Sequence, residues 1–244
     1  VHDRYFGQYQ YFPLIISEPS TRHIFLAWLR PGTVHASLGA DEDLMRVVNA
    51  LRKERPDIAI HVRADAGFGN PKMYEICEEN GLSYTFGFST NVRLKKLTEN
   101  LMQRAVQGYE QSKHKQRLFE CLEYQCDSWD RSRTVIAKAE CHEQGTNLRF
   151  VVTNLQASPS PPDWPSDPVA RLVYDDHTER GQSERRMDEM KNGLHMDRLS
   201  CHRFMGNFFR LLLHVQFLVR HAREQSTRKP AASVRNMGPL KRVQ

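Results

Sequence analysis

The sequence lacks the marks of several protein classes. It has no CxxC pair, and its five cysteines, Cys77, Cys121, Cys126, Cys141 and Cys201, are odd in number and scattered. That usage fits neither a disulfide framework nor a cysteine zinc site, and a reducing compartment is the simpler reading. Long apolar runs are missing too. The most apolar stretch, residues 204–219, is broken by Arg210, His214 and Gln216, so it reads as a packed helix and not a membrane span. No signal peptide opens the chain and no internal repeat is visible.

What remains is globular in composition, with 39% hydrophobic and 26% charged residues. A chain of 244 residues can hold one large domain, or one domain with an inserted subdomain. The formal net charge of +6 favours a polyanionic partner in a general way.

Element patterns alternate between strand and helix. Residues 9–17 (YQYFPLIIS) and 22–29 (RHIFLAWL) read as two strands of a hairpin around the turn residues Glu18, Pro19, Ser20 and Thr21. The chain thus opens almost directly in sheet, which implies a missing amino-terminal part. Residues 41–55 form a helix with Leu44, Val47, Val48 and Leu51 on one face, a possible Asp41 cap and Pro56 beyond its end. A strand follows over 58–64, a helix from Pro71 to about Asn80, and a strand over 82–88. This is α/β grammar. A long polar helix is expected over 91–111.

Three stretches, 117–126, 133–141 and 148–154, then read as antiparallel strands. Residues 157–168 (ASPSPPDWPSDP) read as a proline-rich connector. A helix is expected over about 178–193, and a long amphipathic helix over about 201–225 whose buried stripe is Phe204, Phe208, Leu211, Leu212, Val215 and Val219. Basic residues among Pro, Ala and Ser make residues 226–244 a loose tail.

Two places could carry chemistry. In residues 58–64, Ile58, Ile60, Val62 and Ala64 face one way, and His61, Arg63 and Asp65 the other. Asp65 therefore closes the strand on its polar face, where α/β sheets gather their sites. Gly67 and Gly69 beside it let a ligand approach the backbone. A solvated loop acid explains the segment equally well. In the second place, His177, Arg180, Glu184 and Lys191 fall within a sector of about 60° at helical spacing. A carboxylate flanked by cations suits a site where metal and phosphate meet. Spacing alone favours an ordinary salt-bridged surface helix.

Joined together, these segments resemble the DDE transposases of bacterial insertion sequences, in the branch called transposase DDE domain group 1. The resemblance spans nearly the whole chain. YQYFPLIIS and LRPGTVHAS are similar to the family's second strand and the loop after its third. RADAGF, residues 63–68, resembles the motif of the second catalytic Asp. Residues 133–155 resemble the branch's β-rich insertion. RGQSERRMDEMK, residues 180–191, resembles the motif of the catalytic Glu, and residues 197–214 the family's carboxyl-terminal helix.

The resemblance implies an α/β fold: an RNase H-like mixed sheet flanked by helices, with an inserted antiparallel β subdomain. It implies a core over 1–111 lacking its first strand, an insertion over 112–156, and a connector with closing helices over 157–225. It assigns catalysis and metal binding to Asp65 and Glu184, and DNA contacts to Arg63, His177, Arg180 and Lys191. Where relatives carry a tyrosine in the helix motif, this chain has His177. The family's first catalytic Asp belongs on the missing strand, because Asp3 comes too late to match it. The expected protein is a transposase of the bacterial cytoplasm, with Mg²⁺ or Mn²⁺ as cofactor. It would work on double-stranded transposon ends as a homodimer, away from membranes, and would be inactive without the first strand. Two alternatives stand beside it. One is a non-catalytic DNA-binding remnant. The other is a metal-dependent nuclease using Asp65, Glu184 and Asp175 or Asp176.

Overall fold

A computed structural model describes residues 2–3, 8–9, 11–18, 21, 23–155, 166–178 and 201–228, the first two pairs and 221–228 by their backbone only. Two short strands, β1 (His2–Asp3) and β2 (Gln8–Tyr9), pair antiparallel. The expected hairpin follows as β3 (Leu14–Glu18) and β4 (His23–Trp28), with a register shift between Ile16 and Ser17. Its alternation divides its side chains between two cores. Leu14, Ile16 and Leu26 join the main core, while Ile15 and Ile24 pack with Leu29, Phe208 and Leu211.

Next come α1 (Ala40–Glu54), β5 (His61–Ala64), α2 (Pro71–Glu79) and β6 (Ser83–Phe88). The N-cap of α1 is Gly39 at φ 71°, and Asp41 lies inside the first turn instead of capping it. The expected helix over 91–111 is two helices, α3 (Val92–Leu97) and α4 (Glu99–Ser112). Thr98 separates them: its hydroxyl donates back to the Leu94 carbonyl, a bond that competes with the helical ladder.

β7 (Gln116–Tyr124), β8 (Arg133–His142) and β9 (Gly145–Thr153) form the expected antiparallel meander. They do not stand apart. β9 pairs antiparallel with β6, and β6 pairs parallel with β5, giving one mixed sheet in the order β5-β6-β9-β8-β7. Among the described residues β5 has a single neighbour and lies at the sheet edge.

Helices cover both faces of the sheet. Val135, Ala137, Ala139 and Cys141 of β8 join Leu101 and Ala105 of α4 on one face. Ile136 joins Phe119, Val151, Ala170 and Tyr174 on the other. That second face is closed by α5 (Pro168–Thr178), a helix that begins where the expected connector stops, over residues to which the sequence reading assigned no element. Asp167 caps it, accepting from the Val169 and Ala170 amides at 2.8 and 3.0 Å. Ala170, Tyr174 and His177 are its buried stripe.

The last element, α6 (Phe204–Arg228), packs on the hairpin through Leu211, Phe208, Val215 and Leu218. Phe204 and Leu212 were expected in that stripe and are exposed instead, with Asn207 buried in their place. The expected helix over 178–193 lies outside the described residues beyond Thr178. No helix among the described residues is long and apolar enough to cross a membrane.

Candidate functional site

β5 delivers Asp65 to a tight, solvent-facing turn. Phe68 N–H donates to the Asp65 carbonyl at 3.1 Å and Gly69 N–H to the Ala66 carbonyl at 3.3 Å. The Asp65 carboxylate itself accepts the Gly67 amide at 2.8 Å. Asn70 then caps α2 by accepting from Met73 N–H at 3.2 Å, with Pro71 in the first turn. Glycine is required here by close approach. A Cβ at Gly69 would stand 2.5 Å from the Gly87 carbonyl oxygen, and one at Gly67 would stand 2.7 Å from the Ala36 Cβ.

The Ala36 contact brings a second loop to the turn. Arg30, a buried side chain, donates from Nη1 to the Ala36 and Leu38 carbonyls, both at 2.8 Å. It therefore pins residues 31–39 from inside. A cleft of about 320 Å³ opens between this loop and the start of α2, with His35, Ser37, Asn70 and Lys72 on its walls.

The polar face of β5 is roofed by the end of α5. Arg63 donates from Nη1 to the Asp176 carbonyl at 2.6 Å and lies 3.3 Å from its Oδ1. His61 Nε2 stands 3.4 Å from Asp176 Oδ2, and His61 Nδ1 lies 2.9 Å from the Ser83 hydroxyl. Burial pulls the His61 pKa below its ordinary value. Asp176 opposes that shift and Arg63 adds to it.

His177, the next residue, is buried, and its Nδ1 meets the Thr85 carbonyl of β6 at 3.2 Å. The ring is turned into the fold, where a DNA backbone does not reach. The two acids offered as an alternative third ligand are both engaged: Asp175 with Arg117 at 3.0 Å, and Asp176 with Arg63 and His61.

Of the expected site residues, the structure brings Asp65, Arg63 and His177 to one end of the β5–β6 pair. Arg180, Glu184 and Lys191 lie outside the described residues. Sequence reading missed Thr85 and Arg30, and offered Asp176 only as a third metal ligand, not as the partner of Arg63 and His61. The only local signal for α5 is the helical spacing of Ala170, Val173, Tyr174 and His177.

The donors at the Asp65 turn are oxygens, which suits a hard divalent cation. Among the described residues no group of three or more His, Cys, Asp or Glu side chains could hold a metal ion. A complete centre at Asp65 therefore needs ligands from outside them.

The family described as transposase DDE domain group 1 matches residues 1–237. No curated protein matches the chain. One similar solved structure is the piggyBac transposase synaptic complex with hairpin DNA, determined by cryo-EM. It is 14% identical with a TM-score of 0.47, over 93% of this chain and 44% of that one. The present chain thus spans less than half the length of that transposase chain.

Proposed function

We propose, from the premise that this chain belongs to the transposase DDE domain group 1 family, that it is the catalytic part of a transposase. The reaction is metal-dependent cleavage and joining of DNA strands. Asp65 and Glu184 would hold Mg²⁺ or Mn²⁺, and Arg180 and Lys191 the DNA phosphates. The carrying observation is the Asp65 carboxylate, exposed at the end of β5 beside the last described turn of α5. His177 to Glu184 is seven residues, a stretch that spans at most about 25 Å, so Glu184 is within reach of Asp65. When bound, divalent ions supply charge stabilisation at the attacking and leaving oxygens. The chain's own part is to hold the carboxylates and grip the backbone.

An RNase H-like sheet belongs to the same proposal. Leu14, Ile16 and Leu26 of the hairpin share one apolar cluster with Ile60, Val62 and Ala64 around β5. Yet hairpin and β5 lie in different sheets, and β5 has an unpaired edge among the described residues. A strand between them would join both into a single mixed sheet and could carry the third carboxylate. The substrate would be double-stranded transposon ends, gripped by a dimer in a bacterial cytoplasm.

The test is strand nicking of a transposon-end duplex with Mg²⁺ or Mn²⁺ by the protein. We expect metal-dependent cleavage, abolished by Asp65→Ala or Glu184→Ala. Robust cleavage that survives both substitutions would sink the assignment.

A further inference from the structure

Arg30 carries a charge with almost no water around it: the residue is 5% exposed. Burial pulls its pKa below the ordinary value, and Asp43 is the charge that opposes the shift. The guanidinium is committed to backbone. Nη1 donates to the Ala36 and Leu38 carbonyls, and Nε to the Phe12 carbonyl at 3.3 Å. Nη2 has no hydrogen-bond partner among the described residues. A buried donor left unpaired lowers stability, and a buried charge does so further. Fold stability alone is therefore a weak reason for an arginine here. What the side chain does is hold two carbonyls of one loop on a single nitrogen.

That loop is a run of turns. The Val34, Leu38 and Ala40 amides donate to the Pro31, His35 and Ser37 carbonyls, so no helical or strand ladder fixes its height. It meets the Asp65 turn through Ala36. A Cβ placed on Gly67 would stand 2.7 Å from the Ala36 Cβ and 3.0 Å from Asp65 Oδ1. Methyl and carboxylate thus crowd the same side of Gly67, whose amide donates to that same Oδ1 at 2.8 Å. The contacts form a relay: guanidinium to Ala36 carbonyl, Ala36 methyl to Gly67, Gly67 amide to the Asp65 carboxylate.

We infer that Arg30 is a positioning residue for Asp65. From inside the fold it sets the height of the 31–39 loop, and through Ala36 and Gly67 it sets how the carboxylate is offered to a divalent cation. The inference rests on the reading of Asp65 as a metal ligand given above.

Two readouts test it: Mn²⁺ affinity by calorimetry, and the amide proton resonance of Gly67. Arg30→Lys keeps the charge but loses the planar fork that serves several carbonyls at once. It should lower Mn²⁺ affinity by about tenfold, the lower end for groups that orient metal ligands. It should also move the Gly67 proton upfield as the bond to Asp65 loosens. Arg30→Gln serves if Arg30→Lys does not fold. Ala36→Gly cuts the relay at its outer end, and the double variant should lose no more affinity than Arg30→Lys alone, because linked contacts do not add. Val135→Ala is the control for lost stability. Val135 is buried three strands from β5, in the core on the α4 face, so its loss should lower the urea midpoint and leave both readouts unmoved. Either readout unmoved in the Arg30 variant, losses that multiply in the double variant, or an equal loss of Mn²⁺ affinity in Val135→Ala overturns the inference. Wild-type protein that binds no Mn²⁺ would instead defeat the metal reading of Asp65, and the Gly67 resonance would then decide the relay on its own.

Discussion

Gly87 and Ala66 are in backbone contact: a Cβ placed on Gly87 would stand 2.7 Å from the Ala66 amide nitrogen and 3.1 Å from the Asp65 carbonyl carbon. Strand β6 thus acts as the floor on which the Asp65 turn rests. Gly87→Ala must push the turn off that floor, because backbone cannot rotate away as a side chain can. Overpacking of this kind costs about 1–3 kcal/mol. Urea unfolding should register the loss. Mn²⁺ affinity should fall beyond what a control such as Leu172→Ala on the exposed face of α5 produces.

The Glu78 carboxylate gathers Arg131, the buried Arg133 and the Tyr84 hydroxyl, tying α2 to β6 and the start of β8. Burial alone would raise its pKa, but the bonds from Arg133, Arg131 and Tyr84 outweigh that and leave it below the ordinary carboxylate value. Glu78→Gln leaves the buried Arg133 charge with only the exposed Asp130 carboxylate, at 2.8 Å, and should cost up to about 3 kcal/mol, the lower end for breaking a buried pair. Because the folded pKa is depressed, this contribution is fully present above the unfolded value of about 4.3. It is lost as pH falls through the folded value. Chemical unfolding at neutral and acid pH should show the gap between wild type and Glu78→Gln closing as the medium becomes acid.

His61 makes the end of α5 sensitive to milder acid. Its folded pKa is lowered, chiefly by burial, against the raising influence of Asp176. The neutral ring is the stabilising form, so the contribution is complete above the unfolded value of about 6.5. It declines as pH drops through the folded value. Thermal unfolding between pH 7.5 and 5 should fall more steeply in wild type than in His61→Gln. Equal slopes would show that the ring does not matter there.

Duplex DNA binding should weaken steeply with added salt, and Arg180→Ala or Lys191→Ala should each lower the slope by about 0.9. The loss should be similar for any sequence, as phosphate contacts require. A titration from low to physiological salt with unchanged affinity would contradict a phosphate-driven mode.

Much of the fold was legible because it rests on local periodicity. Alternation over 58–64 and the glycines after it located β5 and the Asp65 turn, and Asn70 with Pro71 marked the start of α2. What escaped was long-range or short. The joining of the meander to β6 depends on pairing residues 85–88 with 150–153, and no local pattern encodes that partner choice. Helix α5 is three turns long and follows a run of prolines, so its stripe of Ala170, Tyr174 and His177 was too brief to stand out. Thr98 broke a helix through a side-chain bond that composition does not reveal. At the site, Asp65 was legible as a strand-end acid. The roles of Asp176 and Thr85 were not, because they depend on where α5 lands.

The pairing of Phe88 with Phe150 also sets a timetable for synthesis. At about 5–20 residues per second, roughly 3–12 s separate the emergence of β6 from that of its antiparallel neighbour. During that interval β6 offers its bonding edge to anything nearby, while α4, β7 and β8 are still being made. A nascent chain in this state is a substrate for chaperones and for mispairing with other chains. Closing the sheet must wait for the ribosome to deliver its central strand in space, the last of the five in sequence.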